Sequence, residues 1–234
     1  MTEEELKEKL PGSGFESARV KWYLDFLVNY NERGGFFSRK DGERIFDRHL
    51  LESAMFVERV RNYVSVSRET TVLDAGSGPG LPGFLFACLT EAPRLTLNDS
   101  SRRRLGLLAD ELSESPLDFP SVRFDYSRLE ELKGSFGLIV SRALIPFPSV
   151  LRLIAHLQKP GSVYAGFFSP MDMEPFATVI RDCGYSVSGR ETFMTATESI
   201  ERQITYFRKE KVVRQGKPFA WKFIRAEMSQ WQKS

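Results

Sequence analysis

The chain has 234 residues, 41% of them hydrophobic and 27% charged, which is ordinary globular usage and excludes wholesale disorder. Lys and Arg number 33 against 31 Asp and Glu, so the net charge of +2 excludes a histone-like or strongly acidic chain but permits a local basic face. Two cysteines, Cys88 and Cys183, exclude a disulfide framework and a four-thiolate zinc site, and no apolar run approaches the roughly 18 residues needed to cross a bilayer.

The start, Met1-Thr2-Glu3-Glu4-Glu5, is acidic and resembles neither a secretory signal nor a transit peptide, so a cytoplasmic protein without membrane attachment is expected. The first element follows the breaker cluster Pro11-Gly12-Ser13-Gly14. From Glu16 to about Asn31, Val20, Tyr23, Leu24, Leu27 and Tyr30 recur at helical spacing, and Gly34-Gly35 ends that helix. A second helix is expected from about Glu43 to Tyr63, with Ile45, Phe46, His49, Leu50, Ser53, Val57 and Val60 on one side. Residues 1–66 therefore read as an N-terminal helical segment.

From Thr70 the texture changes to short β-rich runs separated by helical patterns. Strands are expected at 71–75, 95–97, 122–124, 136–140 and 162–168, with helices through Phe84–Leu89, Arg102–Leu112, Ser149–Leu157 and Met173–Cys183 between and after them. Two last strands, near 185–187 and 202–208, lie too close for a crossover helix and should pair antiparallel. Residues 67–210 thus read as an α/β domain with a mostly parallel seven-stranded sheet covered on both faces, followed by a basic, aromatic tail at 211–234. Ligands of such sheets bind beyond the carboxyl ends of the strands, where the strand order reverses.

The densest signal sits there. Asp74-Ala75-Gly76-Ser77-Gly78-Pro79-Gly80-Leu81-Pro82-Gly83 leaves the first strand. Gly78, Gly80 and Gly83 fit the G-x-G-x-x-G of a dinucleotide loop, while Asp74, Gly76, Gly78 and Gly80 fit the D-x-G-x-G-x-G cofactor loop of class I S-adenosylmethionine methyltransferases. Electrostatics favours the second pattern: a carboxylate at the mouth of the loop repels a pyrophosphate but suits a ligand carrying an ammonium and a sulfonium. Asp99, closing the second strand, is placed to accept hydrogen bonds from both ribose hydroxyls.

Cations cluster twice. Arg102-Arg103-Arg104 opens a helix, where positive charge opposes the macrodipole; phosphate contact or a solvated face would each account for it. From Glu201 to Ser234, nine Lys and Arg stand against three Glu, with Phe219, Trp221, Phe223 and Trp231 among them. That mixture suits RNA, and the same rings could equally dock a C-terminal helix.

Taken together these residues resemble the bacterial RsmG (GidB) family, which methylates N7 of a guanine in small-subunit (16S) ribosomal RNA using S-adenosyl-L-methionine. Arg48-His49-Leu50-Leu51-Glu52-Ser53 is similar to the family's R-H-x-L-D-S, with Glu for Asp, and the glycine loop to its D-V-G-T/S-G-x-G-x-P-G. Leu97-Asn98-Asp99-Ser100 with Arg103-Arg104 resembles L-L-D-S-x-x-K-R, Arg128-Leu129-Glu130 resembles R-A-E, and Ser141-Arg142-Ala143 matches S-R-A. Two stretches depart: Gly35-Phe36-Phe37-Ser38 stands where the family has N-L-T, and Phe167-Phe168 where it has Lys-Gly.

The resemblance implies a Rossmann-like class I methyltransferase fold. It implies a cofactor held by Gly76, Gly78, Leu81, Asp99, Leu129, Glu130 and Arg142, and Arg142 at the point of transfer. RNA contacts would come from Arg48, Arg103, Arg104 and Arg128, the partner being small-subunit RNA or the 30S particle and the protein a monomer. A diverged RNA-binding assembly protein, or a methyltransferase with another target, are the alternatives. Guanine N7 is an in-plane lone pair without a proton, so the chemistry needs no general base. The absences agree: Cys88 and Cys183 read as buried small hydrophobes, and Ser141-Arg142-Ala143-Leu144 replaces the Asn/Asp-Pro-Pro-aromatic loop of amino methylation. His156 reads as an ordinary helix residue and His49 as a core residue.

Overall fold

The computed structural model describes residues 1–195 and 200–231. Five parallel strands, β1 (Thr71–Ala75), β2 (Arg94–Asn98), β3 (Val122–Asp125), β4 (Leu138–Arg142) and β5 (Val163–Phe168), are followed by a hairpin of β6 (Tyr185–Met194) and β7 (Glu201–Lys209). The second hairpin strand inserts antiparallel beside β5, with Val163 opposite Arg208, so the order across the sheet is β3-β2-β1-β4-β5-β7-β6. Strand order reverses at β1 and β4, which fixes where a ligand can enter.

Alternate residues of each strand serve opposite layers, as a buried two-sided sheet requires. Val72, Leu138 and Val140 join one core with Val20, Leu27, Val57, Phe84 and Leu105; Leu73, Ala75 and Ile139 join the other with Leu151, Ile154 and Ile180. The first layer contains α1 (Glu3–Lys9), α2 (Ser17–Gly34), α4 (Glu52–Val64), α5 (Phe84–Ala87) and α6 (Arg102–Ser113), with the one-turn α3 (Arg39–Gly42) ahead of α4. The second contains α7 (Ser149–Ile154), α8 (Ala177–Asp182) and α9 (Trp221–Trp231). No helix among the described residues is long and apolar enough to cross a membrane.

The periodicity of α2 is realised: Val20, Tyr23, Leu24 and Leu27 are buried, and Gly35 closes the helix in the left-handed conformation at φ 60°. The second expected helix is not uniform. Ile45–Leu51 form a π-helical turn that runs into α4, shifting the face presented after residue 44. The expected helix at 173–183 is split, because Pro175 heads a 3-10 turn, Glu174–Phe176, before α8.

The hairpin strand β6 is ten residues long, with a bulge between Val187 and Gly189. The tail contains α9, whose Ile224 is fully buried and whose Trp221 and Trp231 dock on the sheet's second layer, while Phe223 stays exposed. Lys209 is buried, its Nζ donating to the Cys183 carbonyl at 2.7 Å, and is withdrawn from any basic surface. Lys233, counted in the basic tail, lies outside the described residues.

Candidate functional site

The glycine loop turns at three left-handed positions, Gly76 (φ 72°), Gly78 (φ 58°) and Gly80 (φ 107°). A side chain at Gly76 would in addition place its Cβ 2.4 Å from Leu144 Cδ1, so this position is bare for two independent reasons. The loop amides are turned inward. Gly76 and Ser77 donate to the Asn98 carbonyl, Gly78 donates to Asp99 Oδ2, and Gly80 and Leu81 donate to the Ser77 carbonyl. A pyrophosphate needs free N–H groups of this kind, and five are already used.

Asp74 corrects the sequence-based reasoning. It is not at the mouth of the loop but fully buried beneath it, with Oδ2 accepting from the Gly83 amide at 2.8 Å. A Cβ on Gly83 would sit 2.3 Å from that of Asp74, so the carboxyl and the helix start are packed against each other. Asp74 Oδ1 has no hydrogen-bond partner among the described residues. Burial, with the negative charge of Asp99 adding to it and the Gly83 N–H opposing, raises its pKa to about 7. Asp74 braces the loop; the spent amides, not its charge, are what disfavour a dinucleotide.

A cavity of about 620 Å³ opens above the loop, within the range of small-molecule sites. Asp99 lines it, its carboxylate oriented by the amides of Gly78 and Ser101, both at 2.8 Å, with Arg104 3.6 Å away. Two amides leave the remaining lone pairs of that carboxylate for hydroxyl donors. Asn98 ties β2 to the next loop, donating to the Ser127 carbonyl at 3.0 Å and to Asp125. Asp125 in turn accepts from Ser127; burial opposes its charge, but these bonds outweigh it and hold its pKa below the ordinary value. Leu129 and Glu130 are thereby set on the cavity wall, which Leu144 and Ile145 also line.

At the other end, Arg142 is pinned by the N-terminal segment. Its Nη1 donates to Ser53 Oγ at 3.2 Å and the His49 carbonyl at 3.5 Å, and its Nη2 to Glu52 Oε2 at 3.1 Å and the Arg48 carbonyl at 3.5 Å. Glu52, only 2% exposed, also receives Nε and Nη2 of Arg202 at 3.3 Å. Burial pulls the Arg142 guanidinium below its ordinary pKa and Glu52 pulls it back; at neutral pH the group stays charged. With both terminal nitrogens held, Arg142 offers the site a fixed charge and edge rather than a free fork. The next residue, Ala143, is held at φ 53°, an uncommon conformation for a residue with a side chain.

His49 is on the cavity wall rather than in the core. Its ring stacks on Phe37 with centroids 3.9 Å apart, its Nε2 has no partner among the described residues, and burial with the charge of Arg142 lowers its pKa to about 4. The imidazole is neutral at pH 7. The Phe36-Phe37 departure from the family pattern is thus part of the same wall.

A second cavity of about 530 Å³ shares Arg142, Ala143, Leu144 and Ile145 with the first. Phe167, Phe168, the buried Ser141–Tyr164 hydroxyl pair (2.8 Å) and Arg202 line the rest. The Phe167-Phe168 departure therefore supplies aromatic lining: Phe167 packs between Phe56 and Phe193 under the Arg142 guanidinium. Arg202 on β7 brings a cation to this cavity, with its guanidinium held by Glu52.

Of the site residues expected from sequence, Gly76, Gly78, Leu81, Asp99, Leu129, Glu130 and Arg142 all line the first cavity, as do Arg104 and Arg128. Arg103 is exposed beside it, donating to the Arg33 carbonyl, and Arg48 pairs with Asp41. The linings also include Asn98, which the sequence showed only as a neighbour of Asp99 in a motif, and Arg202 and Trp221, which it placed in the basic, aromatic C-terminal stretch rather than at these cavities. His49 carried a signal, the R-H-x-L motif; Trp221 was visible only as one ring in a basic tail. Both cysteines are buried, and burial pushes the Cys183 thiol up to about 12, leaving neither poised as a nucleophile.

A family model described as rRNA small subunit methyltransferase G matches residues 16–166. A Leptospira biflexa serovar Patoc protein named ribosomal RNA small subunit methyltransferase G is 38% identical over 215 residues, covering 90% of this chain and 87% of its own. A Leptospira interrogans serovar copenhageni protein of the same name is 35% identical, covering 95% of this chain and 90% of its own. Among solved structures, magnesium protoporphyrin IX methyltransferase from Synechocystis PCC 6803 with bound SAH aligns at TM-score 0.57 and 16% identity, over 80% of this chain and 100% of that one. A Burkholderia thailandensis N1-methyltransferase aligns at 0.56 and 16% identity, over 86% of this chain and 92% of that one. These structural likenesses bear on the fold, which is that of the Rossmann-like methyltransferases.

Proposed function

This chain belongs to the rRNA small subunit methyltransferase G family, and from that premise we propose that it transfers a methyl group from S-adenosylmethionine to small-subunit ribosomal RNA, with guanine N7 as the acceptor atom. The observation that carries the reading is the pair of adjoining cavities meeting at Arg142–Ile145, beyond the carboxyl end of β4. One has the features of a donor site and the other those of an acceptor site.

The residues of the first cavity fit the cofactor. Its floor is bare at Gly76 and Gly78, with Leu81 beside them; its amides are spent, so it favours a ligand that brings donors; and Asp99 presents a carboxylate to ribose hydroxyls. Leu129, Leu144 and Ile145 offer an apolar slot for the adenine, with Glu130 at its edge. When bound, the cofactor supplies a methyl group on a sulfonium, an electrophile that needs no further activation.

The chain's own contribution is positioning. N7 attacks through a lone pair already in the base plane, so no residue has to remove a proton. Reacting atoms held about 3 Å apart in line recover much of the barrier as lost freedom already supplied by binding. Phe167 and Phe168 give the second cavity apolar surface for a base, and the Arg142–Glu52–Arg202 cluster fixes the neck between the cavities. Arg104 and Arg128 at the rim, with Arg48 and Arg103 beyond it, supply positive charge to phosphates. In this reading residues 67–210 supply most of both cavities, the flanking segments add Phe36, Phe37, His49 and Trp221 to the wall of the first, and the protein acts as a monomer in the cytoplasm on small-subunit RNA or the 30S particle.

Calorimetric titration with S-adenosylhomocysteine and with NAD separates the two loop readings: heat with the first and none with the second is expected. Heat with NAD alone would overturn the assignment.

A further inference from the structure

The C-terminal helix reaches the cofactor cavity, and we propose that it contributes a binding residue there: the indole of Trp221 is the outer wall on which the adenine of the cofactor stacks. This rests on the placement of S-adenosylmethionine in the first cavity. Trp221, the first residue of α9, lines that cavity with Leu129, Ile145 and Leu153, from the loops after β3 and β4 and from α7. The methyl must face the neck at Arg142, where the second cavity opens. The flat, apolar part of the ligand then belongs in the apolar lining of Leu129 and Trp221.

Trp221 packs at the edge of the second core, but α9 has other anchors. Ile224 is fully buried, and Glu227 accepts from Arg152 Nε at 2.7 Å and Ser149 Oγ at 3.0 Å, both arginine and glutamate being 9% exposed. The Arg152 guanidinium also lies 5.1 Å from the Phe219 ring and 5.0 Å from that of Phe223, bracketing Trp221 in sequence. The helix start is thus held from both sides, and Trp221, half-buried, packs against the second core and also lines the cavity. An indole there offers a face on which any purine stacks, in a segment that lies beyond residues 16–166 of the family match.

The test uses the full chain and its Trp221→Ala and Trp221→Phe variants. Calorimetry with S-adenosylhomocysteine, and with 5′-methylthioadenosine, which keeps the adenine but lacks the amino acid, should show Trp221→Ala weakening both by about fivefold or more. Trp221→Phe, which keeps a ring, should stay within about threefold of the parent. Trp fluorescence gives the second readout, independent of whether the alanine variant folds: S-adenosylhomocysteine should quench the parent saturably, and the quench should vanish in Trp221→Phe although Trp22 and Trp231 remain. Undiminished binding by a folded Trp221→Ala, or a quench that persists in Trp221→Phe, overturns the role of Trp221 and leaves the cofactor site intact. Failure of the parent itself to bind either ligand overturns the site.

Discussion

Glu52→Gln removes one negative charge from between two guanidinium groups and changes little else in shape. In the parent, Arg142 and Arg202 approach Glu52 at 3.1 and 3.3 Å, and the carboxylate is 2% exposed. With charge centres about 4 Å apart and an effective dielectric near 20, each pair contributes about 4 kcal/mol of attraction, against a desolvation cost of several kcal/mol per ion. Breaking a buried pair from one side costs about 3–5 kcal/mol. The two side chains are 21% and 19% exposed, so water recovers part of the loss, and the lower value, about 3 kcal/mol, is the expected one. For a chain of this size that is a fall of about 6–12 °C in Tm. Thermal denaturation followed by circular dichroism reads it, and the double variant Glu52→Gln with Arg202→Gln should lose less than Glu52→Gln alone, having one unpaired cation fewer. A Glu52→Gln protein melting within about 1 °C of the parent would refute the reasoning that Glu52 holds the two arginines in place.

Asp74→Asn should change how stability depends on pH. The folded carboxyl has its pKa raised to about 7 from 3.8, so its stabilising contribution is complete below the unfolded value and is lost as pH rises through about 7. The parent should therefore lose up to about 4 kcal/mol across that window relative to the asparagine variant, and flatten above it; urea denaturation between about pH 4 and 8 would show parallel curves if Asp74 ionised normally. Arg103→Ala and Arg128→Ala, both at exposed positions, should each lower the slope of log affinity for small-subunit RNA against log salt by about one. Unchanged slopes would remove those two from the RNA face.

The sheet was legible because its strands are short apolar runs bounded by breakers, and the glycine loop because no other backbone element needs that density of glycine. Less regular features left weaker traces. The edge strand β6 pairs on one side only, and its Ser188-Gly189-Arg190-Glu191 stretch is polar, so seven of its ten residues lay beyond the expected segment. The π-helical turn at Ile45–Leu51 obeys no 3.6-residue period, and it carries His49, read as core, to the cavity wall. Asp74 could be placed in the chain but not in depth: the loop folds over it, and only the burial of its carboxyl shows that it braces rather than greets a ligand. In α9, cations and rings admitted two uses, and the Arg152–Glu227 pair, 75 positions apart in sequence, decided for docking.

The most direct test of the central claim is to incubate the protein with small-subunit ribosomal RNA, or the assembled particle, and S-adenosylmethionine labelled in its methyl group, then digest the RNA to nucleosides and locate the label. Label in 7-methylguanosine is the predicted result. Label in another nucleoside would contradict the acceptor assignment, and unlabelled RNA from a protein that binds S-adenosylhomocysteine would contradict the proposed transfer itself.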